Sequence, residues 1–259
     1  MINKIAIVGT GNIAWHLSEV IINTGLKISC IASRNYLHAE KLAMLRKSKA
    51  TDLKSLCENA DLVIIAVSDD AIAEVSQQIP KGDYIVVHTS GSIPIDVFSD
   101  RFKYFGVIYP IQSFSKSKKV NFKEVPILIE GNDIKTSDQL ESFAKKFSEH
   151  VEIMDSEKRG YLHLSAVIVN NFVNFLAAKS YDFLESNNID GSLLQPLMQE
   201  TIARLKTYHP KEVQTGPAKR NDTKVIEKHL KQLESDPKLQ SLYRQISRQI
   251  IEEYHGGKL

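Results

Sequence analysis

The chain is poor in cysteine, holding only Cys30 and Cys57. They lie in a predicted strand and a predicted helix, and neither has metal-ligand spacing, so both are expected as buried free thiols. His88, His163 and His229 are scattered, with no HxH, HExxH or cysteine pair, and no metal site is expected. No charge of one sign dominates: 33 Lys and Arg against 31 Asp and Glu give a net charge of +2, which argues against a nucleic-acid partner. The short basic cluster Lys116-x-Lys118-Lys119 reads as a loop. An uninterrupted membrane-length apolar run is also lacking. The apolar segment Leu162–Leu184 is broken by Asn170, Asn171, Asn174, Lys179 and Asp182, so no membrane span is expected. No signal peptide precedes a core that begins at residue 4, which predicts a cytoplasmic protein. The stretch His88-Thr89-Ser90-Gly91 lacks the G-x-S-x-G pattern of a nucleophile elbow, which disfavours serine hydrolysis. No internal repeat or low-complexity segment is visible.

What the chain has is a globular composition, 42% hydrophobic and 25% charged, over 259 residues, enough for one large core or two modest ones. Strand and helix signals alternate in its first part. Strands are predicted at Lys4–Val8, Lys27–Ala32, Asp61–Val67, Tyr84–His88, Phe105–Ile108, Val125–Glu130 and Glu152–Met154. Helices are predicted from Ile13, at Ala39–Lys47, at Asp70–Ile79 before Pro80, and at Ser137–Phe147 with Thr136 or Ser137 as cap. Continuous apolar runs such as residues 61–67 suit a parallel sheet covered on both faces. Right-handed βαβ crossovers then give an α/β fold with a doubly wound, Rossmann-like, mostly parallel sheet. Strand signals stop near Asp155. Helices are predicted at Glu157–Asn187 as one long element, at Leu193–Tyr208, at Thr223–Leu233 capped by Asp222, and at Pro237–Glu253, with a frayed tail from His255. The expected organisation is a dinucleotide-binding domain at 1–155 followed by a smaller all-α domain at 156–259 for substrate and dimerisation.

The most informative stretch is MINKIAIVGTGNIA, an apolar strand running into Gly9-x-Gly11-x-x-Ala14. Gly9 permits the tight turn, Gly11 lets the backbone approach a phosphate, and Ala14 allows close helix–strand packing. Backbone N–H groups of residues 9–13, which are Gly9, Thr10, Gly11, Asn12 and Ile13, are expected to hold a pyrophosphate at the helix start. An NAD-binding fold usually carries a carboxylate at the end of the second strand; here Ser33-Arg34-Asn35 stands there instead. Arginine matches a 2′-phosphate and a carboxylate repels one, so NADP is expected over NAD. Ligands sit outside the carboxyl ends of the strands. Val67 and Ser68, with Asp69 and Asp70, follow the third such end; His88, Thr89 and Ser90 follow the fourth; Gln112 and Ser113 follow the fifth. The aspartates serve equally well as turn or cap residues, whereas placement beside the crevice favours ligand roles for His88 and Gln112.

GTGNIA, Ser33-Arg34-Asn35, HTSGS at 88–92, YPIQSFS at 109–115, LHLSAVIVNNFVNFL at 162–176, TGPAKRND at 215–222 and the segment 229–247 occur in a recognisable order. Together, over nearly the whole chain, they resemble a family of NADP oxidoreductases with a Rossmann-like first domain and a helical second domain of unknown function. The layout is more distantly similar to pyrroline-5-carboxylate reductase, ketopantoate reductase and 6-phosphogluconate dehydrogenase. The resemblance implies NADP as cofactor and a helical domain that completes the active site, often across a homodimer. It also implies a Lys and an Asn from the second domain near the reacting centre. Asn171 stands at the Asn position and no Lys matches. In TGPAKRND, Asn221 replaces a Gly, and Asn tolerates a left-handed backbone.

Hydride transfer needs a carbonyl or imine placed against the nicotinamide and one proton managed. His163 is one candidate, because histidine as a residue type is suited to general acid–base work. On an α-helix His163, Asn170 and Asn174 would lie close around the axis with Asn171 to one side, either as a polar stripe on the cofactor cleft or as helix–helix hydrogen bonds. His163, Asn171 and Asn174 are the catalytic candidates, and Gln112, Ser113 and Arg220 the substrate-binding ones. Arg220 with Asp222 is equally readable as a carboxylate clamp or a structural ion pair. Tyr109 is a weaker proton donor candidate, and His229 reads as structural. The expected function is NADP-dependent oxidation or reduction of a small organic substrate in the interdomain cleft. A non-catalytic NADP(H)-binding sensor is the alternative, supported by the missing lysine.

Overall fold

A computed structural model describes residues 2–56 and 60–256. Cys57 and the tail beyond Gly256 therefore lie outside the described residues. The chain divides into two compact units, Met1–Asn170 and Asn171–Leu259.

The first unit is built on eight strands: β1 (Lys4–Val8), β2 (Lys27–Ala32), β3 (Lys49–Thr51), β4 (Leu62–Ile65), β5 (Ile85–His88), β6 (Tyr104–Pro110), β7 (Ile127–Gly131) and β8 (Val151–Ile153). Their order is β3-β2-β1-β4-β5-β6-β7-β8. The first six run parallel, β7 is antiparallel to β6, and β8 is parallel to β7. This is the doubly wound order, with the crevice where the order reverses between β1 and β4. Strand side chains alternate between faces. Ile5, Ile7, Ile31, Leu62 and Ile64 pack under Leu17 and Ile21 of α1 (Asn12–Asn23) on one face. Ala6, Val8, Ile65 and Val86 meet Ile72 of α3 (Ile72–Gln78) and Phe98 on the other. Both faces are covered, which is why the central strands read as unbroken apolar runs.

Helix starts differ from the sequence expectation where a cap was misjudged. α2 runs Tyr36–Leu45, beginning three residues early because the Asn35 side chain accepts the His38 N–H. α4 runs Ile134–Ala144, capped by Asp133, whose Oδ1 accepts the Thr136 N–H at 2.6 Å; Thr136 is buried and Ser137 accepts from the Gly131 N–H. β3 was not expected, being three residues with no apolar run, and β6 extends through Pro110.

The predicted long helix is a continuous helical run with a change of pitch: α5 (Ser156–Ala166), a π-helical segment Val167–Phe172, and α6 (Val173–Ser186). One π turn advances the helix face by roughly one residue. The α-helical stripe expected for His163, Asn170 and Asn174 is therefore not kept. The second unit continues with α7 (Gln195–Thr207), α8 (Thr223–Gln232) and α9 (Pro237–His255). Asp222 and Asp236 cap α8 and α9 through the N–H groups of Val225 and Leu239. His255 ends α9 and its Nε2 lies 2.9 Å from the Lys219 carbonyl oxygen, so the helix extends past the predicted end. The His229 Nδ1 lies 2.8 Å from the Tyr243 hydroxyl, joining α8 to α9.

Candidate functional site

Three strand ends of the first unit, from β1, β2 and β4, open on one cavity of about 1210 Å³. Its wall includes residues 9–13, 33–35, 67–68 and Gln112. Gly9 has φ +117°, and a Cβ there would overlap the Ala66 carbonyl oxygen, so only glycine fits. Its N–H donates to Ala32 at 2.8 Å, fixing the turn between β2 and β4. Gly11 is the N-cap of α1 and carries no side-chain cap; α1 has no acidic residue in its first turn. The first intrahelical bond is Trp15 N–H to Gly11 at 2.9 Å, which leaves the N–H groups of Asn12, Ile13 and Ala14 without an intrahelical acceptor. A Cβ on Gly11 would meet nothing within 4 Å, so the approach is open. Ala14, fully buried, packs α1 on the sheet. Open glycine, uncapped donors and a first helical turn without a carboxylate form a cradle that fits a pyrophosphate.

Ser33, Arg34 and Asn35 follow β2 on the cavity wall, and the Thr10 and Ser33 hydroxyls are 3.5 Å apart. The Asn35 side chain is engaged as the α2 cap. Sequence reasoning missed His38, Asp52, Lys54, Glu74 and Phe114 on the same wall. The Asp52 carboxyl is held below its usual range by the Ser55 N–H and hydroxyl. The capping Asn35 was the available signal for His38, three residues on.

The ends of β5 and β6 carry a second polar group of residues. His88 departs from the expectation of a ligand-facing side chain. It is fully buried, its ring 5.5 Å from Phe98, and its Nδ1 accepts the Ser90 N–H at 3.1 Å. Burial, then the Arg159 charge, lower its pKa to about 4, so it is neutral, and its buried Nε2 makes no well-formed hydrogen bond among the described residues. It braces the loop rather than facing the cavity. Thr89 and Ser90 are also buried, and the Ser90 Oγ accepts the N–H groups of Ser92 and Ile93 at 3.1 Å each. The Ser92 hydroxyl donates to Asp69 at 2.6 Å.

Against this loop the Tyr109 hydroxyl lies 2.9 Å from His163 Nδ1, their rings in an edge-on contact. A Cβ on Gly91 would come within 2.6 Å of His163 Nδ1 and 2.7 Å of Tyr109 Cζ, so the pair needs glycine there. Burial, and secondarily the Asp69 charge, raise the Tyr109 hydroxyl above its usual pKa. Arg159 of α5 is buried against Glu130, bonds the Ile93 carbonyl at 2.7 Å, and so fixes α5, and His163 with it, on the sheet unit.

The Gln112 side chain accepts the Ser113 N–H at 2.8 Å, and both residues are exposed. Asn171, Asn174 and Arg220 lie in the second unit, with both asparagines exposed. Among the described residues Arg220 and Asp222 form no ion pair; Asp222 caps α8. Asn221 takes φ +54°, the left-handed turn that its neighbourhood requires. Among the described residues no cluster of His, Cys, Asp or Glu could hold a metal ion.

Sheet order, turn and cavity define a dinucleotide-binding protein of the doubly wound class. Comparison with known proteins narrows this. A family profile described as NADP oxidoreductase coenzyme F420-dependent matches residues 4–91, and one for a domain of unknown function, DUF2520, matches residues 125–250. BF3122 from Bacteroides fragilis, assigned as an NADP oxidoreductase, is 37% identical over 96% of this chain and 98% of its own, with a TM-score of 0.90. TM1727 from Thermotoga maritima is 27% identical over 96% and 98%, TM-score 0.75. A reductive aminase from Aspergillus terreus, in complex with NADPH and ethyl-5-oxohexanoate, shares the fold at 14% identity over 100% and 97%, TM-score 0.74. No curated protein matches. The chain belongs to the family of NADP oxidoreductases that join a Rossmann-like domain to a helical domain of unknown function. Membership assigns it to the NADP-dependent oxidoreductases.

Proposed function

We propose that the chain transfers a hydride between NADP(H) and the carbonyl or imine carbon of a small organic substrate. The observation that carries this is the cavity that joins the uncapped Gly9–Gly11 turn to Arg34. NADPH, when bound, supplies the hydride. The N–H groups of residues 11–13 hold the diphosphate. Ser33 and Arg34 take the 2′-phosphate, and Val67 and Ser68 line the path toward β5. Tyr109 and His163 hold a proton at the strand ends, the nicotinamide side of a doubly wound sheet. His163 is the proton source, with Gln112, Ser113, Arg220, Asn171 and Asn174 as substrate-side groups. Thr89 and Ser90 contribute backbone to the nicotinamide end, on a loop that His88 keeps in shape. The ketone, ketoester and amine bound by the Aspergillus neighbours support a carbonyl or imine substrate class.

In this reading residues 1–155 form the coenzyme domain and 156–259 the substrate and dimerisation domain. The helical run Ser156–Ser186 has a mean hydropathy of 1.3, is long and apolar enough to cross a membrane, and buries none of its apolar window within the molecule. Its first turns are tied to the sheet unit by Arg159 and Ser156 on Glu130, which supports a second copy, rather than lipid, as the cover for its apolar side. The homodimer is cytoplasmic, where a soluble nicotinamide coenzyme is drawn on.

Calorimetric titration of the wild type and Arg34→Ala with NADPH and NADH tests the coenzyme grip. NADPH binds more tightly to the wild type, and the substitution narrows the gap by about tenfold, as expected for one charge-assisted phosphate contact. Loss of absorbance at the dihydronicotinamide band is then followed with ketone and amine mixtures, cyclic imines and oxidised F420. Equal affinity for both coenzymes overturns the NADP assignment, and NADPH binding without turnover of any of these classes counts against the substrate assignment.

A further inference from the structure

The loop that follows β6 is stitched to the phosphate turn at three points. The Asn12 side-chain amide donates to the Phe114 carbonyl at 2.9 Å. Buried His16, one helical turn further along α1, has its Nε2 2.9 Å from the Ser115 carbonyl oxygen, and its ring lies 5.2 Å from that of Phe114. Phe114 stacks in turn on Phe122, ring centroids 5.6 Å apart. These contacts hold the loop in a defined place. They bring Lys116 over the turn, where its Nζ donates to the Thr10 carbonyl at 2.9 Å and stands 5.4 Å from the centre of the Trp15 ring.

That ammonium is in an unusual electrostatic position. Among the described residues it forms no ion pair, and its partners are a neutral carbonyl and an aromatic face. An ammonium has three donors, and the Thr10 carbonyl takes one. The other two, and the whole charge, stand beside the turn whose N–H groups of residues 12–14 lack intrahelical acceptors. Two positive features, a helix N-terminus and an uncompensated ammonium, thus converge on residues 9–13. Arg34 lies on the cavity wall after β2, whereas the Lys116 ammonium stands on the Thr10 carbonyl at the glycine turn, so the two cations occupy different places along the strand ends.

We propose that Lys116 is a coenzyme-binding residue, its ammonium neutralising the diphosphate bridge seated on residues 9–13, with the loop after β6 as the strap that carries it. The proposal rests on the coenzyme reading given above. A diphosphate is common to NADPH and NADH, whereas the 2′-phosphate belongs to NADPH alone. A charge on the bridge therefore acts on both coenzymes alike, and a charge on the 2′-phosphate acts on one.

The test is calorimetric titration of NADPH, NADH and 2′-AMP into the full chain carrying Lys116→Met, Lys116→Gln or Lys116→Arg, with thermal unfolding of each variant free of coenzyme as the folding control. Lys116→Met is expected to weaken NADPH and NADH together by about tenfold, with their ratio preserved and 2′-AMP unaffected. Lys116→Gln still offers a donor to the Thr10 carbonyl but carries no charge, and is expected to behave like Met. Lys116→Arg restores affinity to within about twofold of the wild type, and the tenfold effect shrinks in about 1 M salt. The proposal is overturned if Met leaves both affinities within twofold, if Gln binds like the wild type so that the tether alone matters, or if only NADPH is weakened. A wild type that binds neither coenzyme overturns the coenzyme reading itself along with it; variants that fail while the wild type binds overturn the Lys116 assignment alone.

Discussion

The two units of the chain differ in how completely each buries its own apolar residues. In the sheet unit, β1, β4 and β5 are buried along nearly their whole length and both faces are covered. In the helical unit no residue of α6, α7 or α8 is buried. Phe172, Phe175, Leu193, Leu197 and Ile202 each stand more than half exposed. The first unit closes its core with its own chain; the second leaves many large apolar side chains exposed. The difference teaches where each function belongs. A self-sufficient sheet can hold a preorganised phosphate cradle, while the apolar side chains exposed on the helical unit are the surface that the proposed dimer would cover.

The largest expected effect breaks the sheet side of this contrast. Gly9→Ala puts a Cβ into the Ala66 carbonyl at φ +117°, and should destabilise the protein by on the order of 3–5 kcal/mol and abolish coenzyme binding. Urea unfolding checks it; a midpoint unchanged from the wild type would mean that the turn is not strained in this way. Next comes pH. His88 has its pKa lowered from 6.5 to about 4 in the folded state, so its neutral form is the native one. Its contribution is fully present above pH 6.5 and lost as pH falls toward 4, about 3 kcal/mol in all. Replacing it, as in His88→Asn, should flatten the stability profile over that window; parallel profiles for the two proteins would assign the acid sensitivity elsewhere. The smallest effect sharpens the helical side. Leu197→Glu on exposed α7 should cost association roughly 2 kcal/mol per protomer and leave the monomer folded. Light scattering reads it as a shift from dimer to monomer mass, and a wild type already monomeric at working concentration would contradict the proposed assembly.

Much of this was legible in the residues. The bounds of β1 and β2 follow from their apolar runs, the first ending at Gly9 and the second beginning after Gly25, and the doubly wound order from the alternation of elements. The glycine turn was legible because position 9 takes a positive φ against the Ala66 carbonyl and position 11 leaves open space. What was hidden has physical causes too. β3 pairs through its backbone, and Lys49-Ala50-Thr51 carries no apolar signal. The π segment keeps the composition of a helix while changing its pitch, so the faces of Asn170 and Asn174 were misjudged. His88 looked like a ligand because it is polar and ends a strand. Period two puts it on the face of Val86, toward Phe98, and that much the spacing already contained. Gly91 gave no sign that it makes room for Tyr109 and His163, since those three positions meet only in three dimensions. Lys116 was read as a loop residue, and nothing in a basic run reveals that its neighbours Phe114 and Ser115 are tied to α1.

The central claim is that a nicotinamide coenzyme lies along the carboxyl edge of β1, β2, β4 and β5. A crystal structure of the wild type grown with NADPH tests it most directly. The account predicts the diphosphate on the N–H groups of residues 11–13, the adenosine 2′-phosphate at Arg34, and the nicotinamide directed toward Tyr109 and His163. A coenzyme bound elsewhere, or a cavity left empty at saturating NADPH, would contradict it.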